Sequence, residues 1–254
     1  MKGSAVGRDP ARGFPWVLSI VTLVALAILL ALGTWQVQRL AWKEALIATI
    51  DGRVSATPLP LAEVEKTAAA GEDFEYQPVA TSGTYLHAKE QFFFATHGGQ
   101  SGWFVYTPLQ MADGRAVFVN RGFVPYDRKA ASTRADGQMA GTVAVSGLTR
   151  TAPVEKPSWL VPDNQPAENV FYWKDLAAMT ANAGLDPAAV VPFFIDGEKS
   201  DVPGGYPVGG VTIIELPNSH LQYAVTWYGL AAALLGVYIA MLRRSGRAPS
   251  DLRT

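Results

Sequence analysis

Two long apolar runs dominate the pattern of hydrophobic and polar positions. From Gly13 to Gln38 no residue is charged, and Phe14 to Gly33 is almost purely apolar. About 20 such residues cross a hydrocarbon core of about 30 Å. Trp16 and Trp35 stand near its ends, roughly 28 Å apart at the helical rise, which suits an aromatic anchor at each interface. The rival reading is a cleaved signal peptide, but the run is too long and no small-x-small cleavage site follows before Trp35. The second run, Leu216 to Leu242, ends on Arg243 and Arg244. Its small residues, among them Ala224, Gly229, Ala231 and Gly236, let a neighbouring helix come close.

Between the runs the texture changes. From Trp35 to Ile47 there is no Gly or Pro, so the helix continues, with Gln36, Arg39 and Lys43 on one face until Thr57-Pro58-Leu59-Pro60 breaks it. A short helix is expected near Ala62 to Ala70. After Tyr76 the chain is rich in Val, Phe, Tyr and Thr, with Gly-containing turns at Gly98-Gly99 and Asp113-Gly114. Strands are expected near Gln77–Leu86, Gln91–His97, Trp103–Met111, Arg115–Val124, Thr142–Arg150 and Val208–Leu216. One helix is expected over Val170–Ala183, ended by Gly184 and Pro187. The fold class is therefore an α+β membrane protein, with two transmembrane helices bracketing a mostly antiparallel sheet that could curl into a barrel.

Charge placement sets the expected topology. Lys2, Arg8 and Arg12 precede the first run, while Arg243, Arg244, Arg247 and Arg253 follow the second. The positive-inside rule puts both termini on the cytoplasmic side. The divisions expected are residues 1–13 inside, 14–35 spanning, 36–218 outside, 219–242 spanning and 243–254 inside. A bacterial inner membrane with a periplasmic central domain suits this pattern.

Composition then removes whole classes of function. With 21 basic against 22 acidic residues and a net charge of -1, no excess exists for tracking a nucleic-acid backbone. The absence of cysteine excludes disulfides, thiolate metal sites and thiol redox chemistry. No nucleophile elbow, zincin motif or phosphate loop occurs. His87 and His97 lack acidic partners at ligand spacing and read as strand residues. Arg121 reads as an internal salt-bridge anchor, and Lys174 with Asp175 as a solvated helix face. Trp103, Trp159 and Trp173 suit either an interface or a core.

His220 differs. In Leu216-Pro217-Asn218-Ser219-His220-Leu221-Gln222, Ser219 would cap the second span and Gln222 would complete a capping box. His220 then lies in the first turn, where the positive helix end suits a neutral imidazole, the form that ligates a metal. Tyr223, Ala224, Trp227 and Ala231 follow at helical spacing as aromatic walls and small gaps. The same pattern fits an interfacial histidine on an ordinary packing face, and spacing does not separate the two.

At this point a family resemblance enters. Gly33-Thr34-Trp35-Gln36-Val37-Gln38-Arg39-Leu40-Ala41-Trp42-Lys43 resembles the first signature of the Surfeit-locus cytochrome c oxidase assembly factors. Glu75-Tyr76, Thr107-Pro108-Leu109, Val119-Asn120-Arg121-Gly122-Phe123-Val124-Pro125 and Phe171-Tyr172-Trp173-Lys174-Asp175-Leu176 are similar to its middle blocks. Asn218-Ser219-His220-Leu221-Gln222-Tyr223-Ala224-Val225-Thr226-Trp227-Tyr228-Gly229 is similar to its closing signature. Phe123 stands where Trp is expected and Ser219 where Asn is common. The resemblance implies a non-enzymatic factor that matures the oxidase catalytic subunit by transiently holding or handing over haem a. It implies the haem a synthase as a further partner. Carried over, His220 is the metal ligand, with Trp227 and Tyr223 beside the haem. Arg39 and Lys43 would meet its propionates or, equally, anchor in lipid headgroups. A scaffold without haem, and a tethered sensor or hydrolase domain, are the alternative functions.

Overall fold

The computed structural model describes residues 16–212 and 217–245. The chain divides into two compact units, residues 1–47 with 216–254 and residues 48–215.

The first unit holds two helices. α1, Trp16–Val54, runs without a break through the apolar stretch and on to the Thr57-Pro58 stop, and α4, His220–Ser245, is the second. Both are long and apolar enough to cross a membrane, and the protein buries only 17% and 6% of their most apolar windows. So much uncovered apolar surface calls for lipid around it. Most of what α1 covers falls in one series: Ser19, Thr22, Leu26, Leu29, Gly33 and Gln36 are buried or half-buried, with Ala25 and Leu32 beside them. On α4 the matching set is His220, Ala224, Trp227, Ala231, Leu234 and Tyr238. Alternate steps of three and four residues give a period of about 3.5, the seam of a left-handed helix pair. The pair is antiparallel: Tyr238 donates to Ser19 Oγ (2.6 Å) at one end, and Gln36 meets His220 at the other. Gly33, about one turn from Gln36, makes room for the Tyr228 ring, from which a Cβ there would lie 2.9 Å. Small residues bring the backbones together as expected for helices in lipid, where apolar burial supplies no drive.

The second unit is a closed barrel of five strands: β2 (Pro78–Tyr85), β4 (Gln100–Gln110), β5 (Ala116–Pro125), β6 (Thr142–Thr151) and β7 (Val190–Gly197). Round the ring, β2 pairs with β6, β6 with β7, β7 with β5, β5 with β4, and β4 returns to β2 through Thr84↔Gln110 and Tyr85↔Leu109. All of these pairs are antiparallel except β5 with β7. A two-residue β1 (Leu59–Pro60) adds to β2, and β3 (Gln91–His97) extends β4 as a hairpin arm. Closure removes most of the free sheet edge. The lumen holds Val79, Leu109, Val117, Val119, Phe193 and Ile195, and α2 (Leu61–Ala69) adds Leu61 and Val64 to the same core. On the opposite face of β5 and β7, Phe118 and Phe194 pack with Tyr106, Phe171 and Met179 of α3 (Leu176–Asn182) in a second core.

Three expectations are corrected. β7 was absent from the sequence pattern: Phe193-Phe194-Ile195-Asp196 is buried on both faces, so it shows no alternation, and the exposed Pro192 precedes it in the strand. The helix over Val170–Ala183 shrinks to Leu176–Asn182, because Phe171 exchanges backbone bonds with Phe92 and Phe94. The Asn164 side chain takes the backbone N–H groups of Tyr172 and Trp173, and Asp175 caps α3 through Ala178 N. In the described part of Val208–Leu216 there is no strand, only a bridge from Val208 to Phe123; residues 213–216 lie outside the described residues. That bridge passes over Gly122 at φ 122°, where a Cβ would stand 2.0 Å from Val208 O. Only glycine fits.

Candidate functional site

His220 opens α4, and Ser219 precedes it with its carbonyl accepting from Tyr223 N at 3.2 Å. The side-chain acceptor at this helix start is Asn218, whose Oδ1 lies 3.4 Å from His220 N, where the sequence pointed to a Ser219–Gln222 box. The imidazole is half-buried on the seam, and its Nδ1 lies 2.8 Å from Gln36 Oε1. An amide oxygen only accepts, so Nδ1 carries the proton and donates. In the neutral ring Nε2 then keeps its lone pair. This is the arrangement of a metal-ligating histidine oriented by a partner behind it. Gln36 is buried; the sequence placed it on one face with Arg39 and Lys43 but gave it no part in the site. Its further signal was an uncharged amide at a seam position of an uncharged span.

The other proposed residues fall into two groups. Trp227 lies on the same seam seven residues along and is half-buried, whereas Tyr223 points off the seam and is exposed. Ala224 and Ala231 were read as gaps for a flat ring; both are buried on the seam, so the room they leave serves helix packing. The ring at Gly33 belongs to Tyr228, whose hydroxyl also lies 3.1 Å from Thr34 Oγ1. On α1 beyond Gln36, Arg39 is exposed and its guanidinium stacks 3.8 Å over the Trp42 ring. Lys43 is half-buried and seven residues from Gln36, hence on the same face.

The barrel unit contains two polar clusters of its own. Arg121 is the internal anchor expected: buried, it donates to Gly137 O (2.6 Å) and Glu90 Oε1 (3.4 Å). Glu90 also binds Arg134 through Nη1 (3.1 Å), and His87 Nδ1 is 3.6 Å away. Burial lowers the Arg121 pKa, while Tyr85 and Glu90 oppose the shift. His87 also joins Met139 O at 2.9 Å, and among the described residues no group of His, Asp and Glu could hold a metal. In the second cluster, Asn120 and Arg150 each donate to Asp196 at 3.0 Å. Lys174 faces the same carboxylate, so the solvated reading of Lys174 and Asp175 fails on both counts: one is turned inward and the other caps a helix. Trp103 is buried in the core, whereas Trp159 is 86% exposed.

The architecture defines a class: a membrane-anchored β-barrel protein whose helix pair presents one oriented imidazole. The family model of the SURF1 family matches residues 23–232. The human protein Surfeit locus protein 1 is 40% identical over 250 residues, covering 91% of this chain and 78% of its own. A SURF1-like protein of Monosiga brevicollis is 36% identical over 268 residues, covering 98% and 97%. One from Caenorhabditis elegans is 27% identical and covers 96% and 80%. The chain belongs to the SURF1 family.

Proposed function

We propose that this protein is a non-enzymatic assembly factor that holds haem a during maturation of the catalytic subunit of a haem-copper cytochrome c oxidase. The observation that carries the reading is the 2.8 Å contact between His220 Nδ1 and Gln36 Oε1. The residues fit a group held by one protein ligand, because the amide fixes the proton on Nδ1 and keeps Nε2 available. When bound, haem a supplies an iron that accepts an imidazole nitrogen and two carboxylates that seek cations. His220 binds at the start of α4, and Trp227 supports the same helix face. Lys43 and Arg39 supply positive charge two turns and one turn beyond Gln36; stacking on Trp42 holds the Arg39 cation in place. A single protein ligand would suit transient holding, since one bond to His220 is all that release would have to break. In this reading the barrel domain faces the periplasm of a bacterial inner membrane, where it meets the oxidase subunit and the haem a synthase.

A scaffold that holds no haem is the second reading, favoured by the exposed apolar loop of Val154, Trp159 and Leu160. One experiment separates them: absorption spectra of the detergent-purified protein from cells that make haem a. His220→Ala should purify in normal amount and lose most of the haem a spectrum, with Trp227→Ala affected less. Full haem a with an unaltered spectrum in His220→Ala removes His220 as ligand and leaves the scaffold.

A further inference from the structure

The middle motifs of the sequence converge where the proposed haem role makes no use of them. Tyr106 of β4, Asn120 of β5, Asp196 of β7 and Lys174 before α3 border one cavity of about 240 Å³ in the barrel unit. Most of its polar groups are matched. Both Asp196 oxygens are taken, Oδ1 by Asn120 Nδ2 and Oδ2 by Arg150 Nη1, each at 3.0 Å. Arg150 Nε donates to Glu75 Oε1 at 2.7 Å. Two donors stand apart. The Tyr106 hydroxyl is completely buried and has no hydrogen-bond partner; Asp196 and Asn120 are near enough to perturb it, but neither meets bonding geometry. The Lys174 ammonium, with its side chain 19% exposed, makes a long ion pair with Asp196 Oδ1 at 4.0 Å, too far for a hydrogen bond. A buried donor without an acceptor costs its full desolvation, so the Tyr106 hydroxyl marks a place for an acceptor, with the Lys174 ammonium on the wall of the same cavity.

We propose that this cavity is a binding site for a small organic carboxylate, distinct from the helix-pair site. Two donors call for two acceptor oxygens. On the wall Arg150 is already paired with Asp196 and, behind it, with Glu75, so the Lys174 ammonium is the charged donor that favours an anion. Phe93, Phe104, Ala95 and Val211 line the remainder and suit an apolar body. The volume is below the about 300–1,000 Å³ of drug-sized pockets, which restricts the ligand to a short chain or a single ring.

The test uses the full chain in detergent and 4-fluorobenzoate as the probe, followed by the fluorine resonance of the ligand. Saturable broadening is expected with the wild type. Tyr106→Phe and Lys174→Met should each bind roughly tenfold more weakly, the loss expected for one hydrogen bond to a charged group. The neutral 4-fluorobenzamide should bind more weakly than the acid. Tyr106→Phe removes only an unpartnered hydroxyl, so it should melt no lower than the wild type and carries the test even where Lys174→Met folds poorly. Absence of saturable binding in the wild type would overturn the proposal. So would equal binding by Tyr106→Phe, or by the amide.

Discussion

Replacing Gln36 with Leu probes the candidate haem site without touching its ligand. The substitution keeps volume in a buried seam position but removes the only atom shown accepting from His220 Nδ1, at 2.8 Å. Two effects follow. The helix pair loses one interhelical hydrogen bond, about 0.6–2 kcal/mol in a membrane setting. The imidazole also loses the partner that fixes its tautomer and ring orientation, which in metal sites costs about 10–100-fold in affinity. Thr34→Val separates the two effects, because it breaks the 3.1 Å tie to Tyr228 on the same pair of helices and leaves His220 alone. Titration of the detergent-purified chain with haem a, followed at the Soret band, should place Gln36→Leu about 10–100-fold weaker than wild type and Thr34→Val near wild type. Gln36→Glu, which keeps an acceptor, should restore most of the loss. Wild-type affinity in Gln36→Leu would refute the orienting role. Equal weakness in Thr34→Val would show that helix separation, and not ring orientation, is the cause.

Two further outcomes concern the barrel unit. Glu90→Gln should leave Arg121 and Arg134, both buried, without a counter-charge. Removing one partner of a buried ion pair costs about 3–5 kcal/mol, so denaturant unfolding followed by tryptophan fluorescence should shift strongly; a loss under about 1 kcal/mol would mean that water already screens the cluster. Burial lowers the Lys174 pKa below the ordinary lysine value, with Asp196 opposing. The unfolded chain therefore binds more protons between the folded and ordinary values, so stability contributed by this group rises as pH climbs through that window. Unfolding curves from neutral to alkaline pH should show the rise as a wild-type excess over Lys174→Met in slope, and parallel curves would exclude it.

Charge-free length and flanking arginines made the two spans legible, because lipid imposes its demand on composition alone. The alternating strands around Gly98-Gly99 and Asp113-Gly114 were legible for the same local reason. β7 was not, since a strand buried on both faces has no polar side to report its period, and Pro192 argued against it. The over-long helix at Val170–Ala183 failed through side chains that compete for backbone: Asn164 and Asp175 satisfy the N–H groups that a helix would have used. At the candidate site, His220 stood out by residue type and position. Gln36 did not, because its meaning depends on the register of two helices from opposite ends of the chain. Lys174 was misjudged in kind, as its neighbour Asp196 belongs to the strand that the pattern hid.

His220 and Gln36 are 184 positions apart, with the whole barrel lying between them in sequence. Neither residue has a local substitute for the other, and the contact closes a very long loop. A ribosome that has finished the first helix and the barrel has therefore made no part of the oriented imidazole. The pair forms only when the last helix leaves the ribosome and inserts beside the first. On the proposed reading, nascent and truncated chains would present no oriented imidazole to haem a.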